Sequence, residues 1–335
     1  GCTVEPINQS KLPIGTGSIT VPEFKLQAGI FSTSNDQTPS FEVGNLSDGY
    51  IVEILEGADS SCNGGSVIKS VTSTGSSVTI DSLDLTGGDK TYDLRVMVTS
   101  PSGVTSCSDE LEYVLDATAP AAPVVTLPVL AEHYSSASTL SISGSCESGT
   151  TVGLSGDVAA TMTAVCESGA YSFSIGKDVD GTYNFSITQT DVAGNTSSSI
   201  AQQWVRDTQA PVAPSSWTLS SPANGTTSND SAPQITIPGN ALEVGSTAKV
   251  YSDSGCTTQL GSAATIAATD VTISDISFAS DGIKNFYGKI TDKAGNATSC
   301  TDLSQSYMFE TAAPSVLSIV RVSSSPANSA MVNFT

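Results

Sequence analysis

The residues best suited to chemistry in this chain are carboxylates, and they recur. An Asp-x-Ala-Gly-Asn stretch occurs twice, as Asp191–Asn195 within TDVAGNTSS and as Asp292–Asn296 within TDKAGNATS, 101 residues apart. Three further acids, Asp116, Asp207 and Glu310, each stand four residues before a proline. Asp89, Asp180 and Asp281 each lie beside a glycine in a turn-type pair. Carboxylates gathered without Lys or Arg repel one another unless a cation joins them. Ca²⁺ takes roughly six to eight oxygens in flexible geometry, so metal ligation is the chemistry this set could do. The repeated stretch also has a conformational reading. Asp bonds its own downstream backbone, Gly or Asn accepts positive φ, and a hairpin closes. The two readings are compatible, since a turn can present a carboxylate.

Acid–base and nucleophilic catalysis find little support. His133 is the single histidine, in the polar stretch LAEHYSSAS between a junction and the next strand, and reads as a solvated loop residue. No nucleophile elbow, phosphate loop, paired-histidine zinc motif or EF-hand pattern occurs. Nothing marks a carboxylate pair for glycoside hydrolysis. The chain reads as a non-enzyme. The Asn-x-Ser/Thr sequons, Asn184, Asn195, Asn224 and Asn296 among them, are expected by chance in a chain so rich in Ser, Thr and Asn.

Composition narrows the class. The 335 residues carry 33 acids against 12 bases, a net charge of −21, which excludes nucleic acid and anionic membrane surfaces as electrostatic partners. A cationic partner or a divalent cation suits this field better. Only 13% of residues are charged, so Ser, Thr, Asn and Gly must make up most of the surface. No apolar run is long enough for a transmembrane helix.

The elements that must position the acids are strands. Alternating segments such as TLSIS (139–143), YSFSI (171–175) and YNFSI (183–187), with turn residues every few positions, predict an all-β fold of sandwiches. The junctions VLDATAPAAP, VRDTQAPVAP and FETAAPSV divide the chain. Their acids are 91 and 103 residues apart, the size of one immunoglobulin-like sandwich. The predicted organisation is a flexible tether (1–17), Ig-like domains over 18–116, 117–207 and 208–310, and the start of a fourth unit (311–335). Proline at each junction makes it short and semi-rigid. In each unit an Asp/Gly turn precedes an alternating strand, a hairpin turn and a last strand, which reads as strand F, the F–G hairpin and strand G. In the first unit SPSGVTS (100–106) takes the place of the Asp-x-Ala-Gly-Asn turn.

Seven cysteines without C-x-x-C spacing argue against zinc and for an oxidising compartment. Six fall two to a unit: Cys62 with Cys107, Cys146 with Cys166, and Cys256 with Cys300. The strand map sits uneasily with the third pair, since it puts Cys256 low on strand C and Cys300 near the top of strand G.

The stretch ISGSCESGTTVGLSG (142–156), followed by DGTYNFSITQTDVAGNTSSS (180–199) and DTQAPVAP, resembles the bacterial immunoglobulin-like repeats strung in tandem in surface adhesins and stalks. The likeness covers the second unit best and the third well, and the first unit departs from it at its F–G turn. It implies an elongated rod that holds a distal head or fibre away from a bacterial surface, with a host or neighbouring-cell protein or glycan as partner. Cys2 behind Gly1 resembles the lipidated first residue of a bacterial lipoprotein, implying a lipid anchor at the outer membrane; the bland reading is an ordinary odd cysteine. Stacked end to end, such domains would bring each junction acid to the F–G turn of the next: Asp116 to Asp191 with Asp89 near, and Asp207 to Asp292 with Asp180 or Asp178 near. Calcium between domains is known in some adhesins of this class, so Ca²⁺ at these acids, with Asp281 and Glu310 completing the repeat, is the cofactor the resemblance implies. Two alternatives stay open. One is a carbohydrate- or protein-binding module, with Trp204 or Trp217 as the candidate sugar contacts, both also readable as core or junction packing. The other is a self-associating fibre subunit that adds its end strands to a neighbour's sheet.

Overall fold

The structure, a computed structural model, describes residues 18–212, 216–239 and 244–313. The tether, Cys2 and nearly all of the fourth-unit segment lie outside them. Every regular element among the described residues is a strand. Three two-sheet sandwiches follow one another along the chain.

The first domain pairs β1 (Glu23–Leu26), β3 (Phe41–Gly44) and β6 (Ser77–Ile80) in one sheet. Its second sheet runs β2 (Thr33–Ser34), β9 (Leu111–Leu115), β7 (Lys90–Thr99), β4 (Ile51–Glu56) and β5 (Ser66–Thr72), and β8 (Thr105–Cys107) adds to β7. The second domain repeats this order without the equivalent of β8. β10 (Val124–Leu127), β12 (Thr139–Ser145) and β15 (Ala170–Gly176) face β11 (Glu132–Ser135), β17 (Ile200–Arg206), β16 (Gly181–Thr190), β13 (Thr151–Gly156) and β14 (Met162–Val165). The third does the same with β18 (Thr218–Ser221), β20 (Gln234–Ile237) and β23 (Val271–Ile273) against β19 (Thr227–Ser228), β25 (Thr301–Phe309), β24 (Gly282–Thr291), β21 (Thr247–Tyr251) and β22 (Gln259–Thr265). The first strand of each domain changes sheets midway. Its second half (β2, β11, β19) pairs parallel with the last strand of the domain (β9, β17, β25).

The alternation read from the sequence produces these sandwiches directly. In β16 and β24 the second half of the strand buries every other residue, and those side chains meet the opposite sheet. Phe41, Ile54, Leu94 and Tyr113 fill the first core, Ile142, Leu154, Phe185 and Trp204 the second, and Ile235, Phe286, Ile290 and Tyr307 the third. Tyr113 and Tyr307 each donate a hydroxyl hydrogen bond of 2.7 Å to the carbonyl of Asp36 and Asp230, so a buried phenol keeps its polar end satisfied.

Both tryptophans are core. Trp204 is fully buried, and Trp217 packs over Gly288 in the third core. A Cβ at Gly288 would come within 3.0 Å of the Trp217 ring, whereas the matching residue of the second domain is the buried Ile187. The indole takes the place of an aliphatic side chain. His133 also departs from expectation. It lies in β11, paired in parallel register with Trp204, because the sheet-changing half of the first strand runs through LAEHYSS.

All three disulfides form as paired: Cys62–Cys107, Cys146–Cys166 and Cys256–Cys300, with Cα–Cα distances of 5.7, 6.0 and 5.7 Å. The conflict over the third pair dissolves because strand C is short. β21 ends at Tyr251 opposite Tyr287, midway along β24. The turn carrying Cys256 therefore lies at the level where β25 begins, Thr301 opposite Gly288. That turn is built by an acid. Asp253 accepts backbone N–H bonds from Gly255, Thr257 and Thr258, and Cys256 takes φ of 50°. Asp59 does the same for Ser61 and Asn63 around Cys62, whose φ is 60°.

The Thr258 and Thr257 N–H groups hold the Asp253 carboxyl down at about 2. A carboxyl lowered on folding contributes stability that is present above its unfolded value and lost as pH falls through the folded one. The third domain should therefore lose melting temperature between pH 4 and 2, the interval between the model-peptide value and about 2. Asp253→Asn should flatten that slope in a pH series of thermal melts. An unchanged slope would mean that the turn does not depend on this charge.

Candidate functional site at the domain junctions

The chain forms two compact units, Gly1–Arg206 and Asp207–Thr335. The first contains the junction between the first two domains. The repeated Asp-x-Ala-Gly-Asn stretch stands there as the turn between β16 and β17. Asp191 N–H donates to Asn195 O (3.0 Å), Gly194 N–H to Asp191 O (3.3 Å), and Asn195 N–H to Asp191 Oδ1 (2.9 Å). Gly194 has φ of 96°, a conformation glycine adopts without strain.

The third-domain copy is superimposable in its bonding. Asp292 N–H meets Asn296 O at 2.9 Å, Asn296 N–H meets Asp292 Oδ1 at 2.8 Å, and Gly295 has φ of 89°. The first domain closes the same turn with different residues. Ser100 N–H donates to Val104 O (2.9 Å), Val104 N–H donates to Ser100 Oγ (3.0 Å), and Gly103 has φ of 81°. The turn thus requires an acceptor side chain first and glycine fourth. It does not require asparagine fifth.

What the asparagine adds is a bond out of the turn. Asn195 Nδ2 donates to Asp191 Oδ2 (2.9 Å) and to the backbone carbonyl of Asp116 (2.8 Å). The carboxylate orients the amide, and the amide grips the last residue of the preceding domain. Asn296 Nδ2 donates to Asp292 Oδ2 (2.9 Å) and to Asp207 O (2.8 Å), a bond within the second unit. At the first junction a second bond runs from Asn35 N–H to Ala193 O (3.0 Å). Gln189 is buried, accepts Glu147 N–H and the Thr150 hydroxyl, and donates to Ala121 O (2.5 Å), which fastens the linker to the second domain.

The other predicted acids are placed as follows. Asp89 accepts Ala117 N–H (2.8 Å) and the Thr118 hydroxyl; the Thr118 hydroxyl, then Ala117 N–H, lowers its pKa. Asp281 accepts both the N–H and the hydroxyl of Thr311, at 3.0 and 2.9 Å. Asp116 and Asp207 cap Thr118 and Gln209 N–H through Oδ1. Glu310 is exposed, and its N–H donates to Ser228 O. Asp180 pairs with Arg206 at 2.5 Å.

Two expectations are corrected by this geometry. A junction acid does meet the next F–G turn, but through its carbonyl and an asparagine amide, because the side chain of Asp116 turns back to cap its own linker. The acids are also not free of cations, since Arg206 lies against Asp180. Several of their oxygens accept N–H and O–H donors, and among the described residues no group of three or more His, Cys, Asp or Glu is placed to hold a metal ion. Asn195 and Asn296 themselves were not among the predicted site residues. The available signal was that both full copies of the turn end in Asn, while the first domain closes without one. Both also head sequons, and a glycan there would occupy the nitrogen that makes the junction bond.

No protein-family model matches the chain, and no curated protein matches it in sequence. Several solved structures are similar to it. The fibronectin(III)-like modules of Clostridium thermocellum CbhA share 14% identity over 55% of this chain and 94% of theirs, with a TM-score of 0.36. The chicken CNTN1 FN1–FN3 domains share 11% identity over 84% of this chain and 96% of theirs, at 0.33. A tetra-tandem repeat from the extending region of a large adhesion protein shares 19% identity over 86% of this chain and 73% of its own, at 0.25. At these identities the likeness concerns the fold alone. The strand order itself defines the class: an all-β protein of tandem fibronectin III/immunoglobulin-like sandwiches. Its three disulfides suit an extracellular or secreted setting. No helix among the described residues is long and apolar enough to cross a membrane.

Proposed function

We propose that the protein is a non-catalytic structural component of the cell exterior, a spacer whose first junction is held in one geometry by the asparagine of the F–G turn. The carrying observation is the Asn195 amide, which the turn does not need and which reaches the Asp116 carbonyl. The acceptor is backbone, so the latch demands no particular side chain from the domain before it. Any sandwich ending in this kind of linker can be followed by another, which is what a tandem spacer requires. In the fuller form suggested by the sequence resemblance, the protein is a stalk or fibre of a bacterial surface supporting adhesion to a host or neighbouring cell, anchored through a lipid on Cys2. Disulfides, a weakly charged Ser/Thr-rich surface and the repeated latch support that reading.

The test is small-angle scattering of the full chain, with and without Asn195→Ala. The variant should give a broader distribution of maximum dimensions than the parent. Equal distributions would remove the spacer reading. The same samples in EDTA and in millimolar Ca²⁺ test a ligand role for the junction acids. A clear calcium-dependent rise in melting temperature would assign these acids to the cation, and an unchanged melt would leave them as caps of turns and linkers.

A further inference from the structure

The three domains differ at one sheet edge. The outer strands of the three-stranded sheets are β6, β15 and β23, of four, seven and three residues. A short edge strand is a poor template for another chain. β15 is long and regular, paired with β12 without a break from Thr139 opposite Gly176 to Ser145 opposite Ala170. Tyr171, Phe173 and Ile175 point into the core, while Ala170, Ser172, Ser174 and Gly176 are exposed. It carries no charge, proline or bulge, the usual guards of an edge.

Beside it the sandwich gapes. A cleft of about 390 Å³ is lined by Val158, Ala159, Ala160, Met162 and Ile175, with Lys177 at its rim. The third domain closes the corresponding opening with Asp275, which accepts Ser262 N–H at 2.7 Å and so ties β22 to the segment following β23.

We propose that β15 is a strand-addition edge that takes a second copy of this chain, β15 against β15 in antiparallel register about a two-fold axis, joining two three-stranded sheets into one of six strands. The edge is complementary to itself. It is uncharged from Ser168 to Gly176, so pairing sets no like charges face to face. Antiparallel pairing brings Lys177 of each copy to the turn that holds Glu167 in the other, cation to carboxylate. The two-fold also turns the apolar clefts toward each other, which covers Ala159 and Ala160, both exposed in the single chain. The net charge of −21 opposes the approach of two copies, so the contact tightens as salt screens that repulsion.

The experiment is sedimentation of the full chain over a concentration series at low and high salt, with hydrogen exchange at both ends of the series. The expected result is a reversible dimer with Kd of about 1–100 μM, tighter at high salt, as suits a small interface. Amides 170–176 should exchange more slowly at high concentration. Ser174→Lys, or Ser172→Lys should the first fold poorly by thermal melt, should weaken the dimer by about tenfold or more. Ser141→Lys puts the same charge on the same sheet face but on the central strand β12, and should weaken it by less than about threefold. A chain that stays monomeric at both salts overturns the proposal. So does a dimer whose β15 amides exchange at one rate throughout, or one that Ser174→Lys and Ser172→Lys leave unchanged.

Discussion

Asn195→Asp should loosen the first junction more than Asn195→Ala, although it is the closer match in shape. The alanine variant removes two amide hydrogen bonds, to Asp191 Oδ2 and Asp116 O, at a site where Asn195 is only 8% exposed. The carbonyl and carboxylate left behind can recruit water at the rim, so a cost of about 1–2 kcal/mol is expected. The aspartate variant replaces the donor by an oxygen facing two others. A carboxylate would lie where Nδ2 now sits, 2.9 Å from Asp191 Oδ2, and a like-charged pair that close cannot both stay ionised without a large penalty. A loss of about 2–4 kcal/mol at neutral pH follows. The sign of its pH dependence is fixed. The new carboxyl has its pKa raised in the folded state, so the variant recovers stability as pH falls into the carboxylate range and loses it again as pH rises. Denaturant melts of the full chain, followed by a probe in the first two domains, would show a gap between Asp and Ala variants that closes near pH 4. A gap that ignores pH, or an alanine variant identical to the parent, would mean that the amide does not hold the junction.

The fold was readable because its causes are local. YSFSI and YNFSI alternate with period two, and the Asp/Gly turns and acid–Pro junctions punctuate them, so strands, hairpin and domain repeat can be traced before any contact is known. The F–G turn was readable for the same reason: Asp191 and Gly194 build it within five residues. The junction bond was not. Its acceptor is the carbonyl of Asp116, and a carbonyl leaves no mark in a sequence, whereas the Asp116 and Asp191 carboxylates do. The pairing of Asp180 with Arg206 was hidden because β16 and β17 bring together residues 26 apart. The exchange of an aliphatic core residue for Gly288 plus the Trp217 indole is likewise a matter of packing volume across two sheets. A glycine inside the alternating run GIKNFYGKI was its only local sign.

Removal of the disulfides should rank by loop length, and the ranking tests whether they act on the unfolded chain. Cys62–Cys107 and Cys256–Cys300 close loops of 45 and 44 residues, and Cys146–Cys166 a loop of 20. In the chain-entropy account a loop near 45 residues is worth roughly 4 kcal/mol and one of 20 roughly 3.3 kcal/mol. The native state sharpens the contrast. Cys62 is buried with Leu55 and Ala58 in a small cluster of its own, against which Met97 and Cys107 pack, so losing that bridge also opens a satellite core. Cys166 is a buried member of the main core of the second domain, a larger cluster that also holds Ile142, Phe173 and Trp204. Paired Cys→Ala variants should therefore lower the first domain's stability most, the third's nearly as much and the second's least. Guanidinium titrations of the three double variants, each read on its own domain by hydrogen exchange, would give the order. If the Cys146–Cys166 pair proved the costliest, the bridges would be acting through native contacts around the β14–β15 turn, with loop entropy a minor contribution.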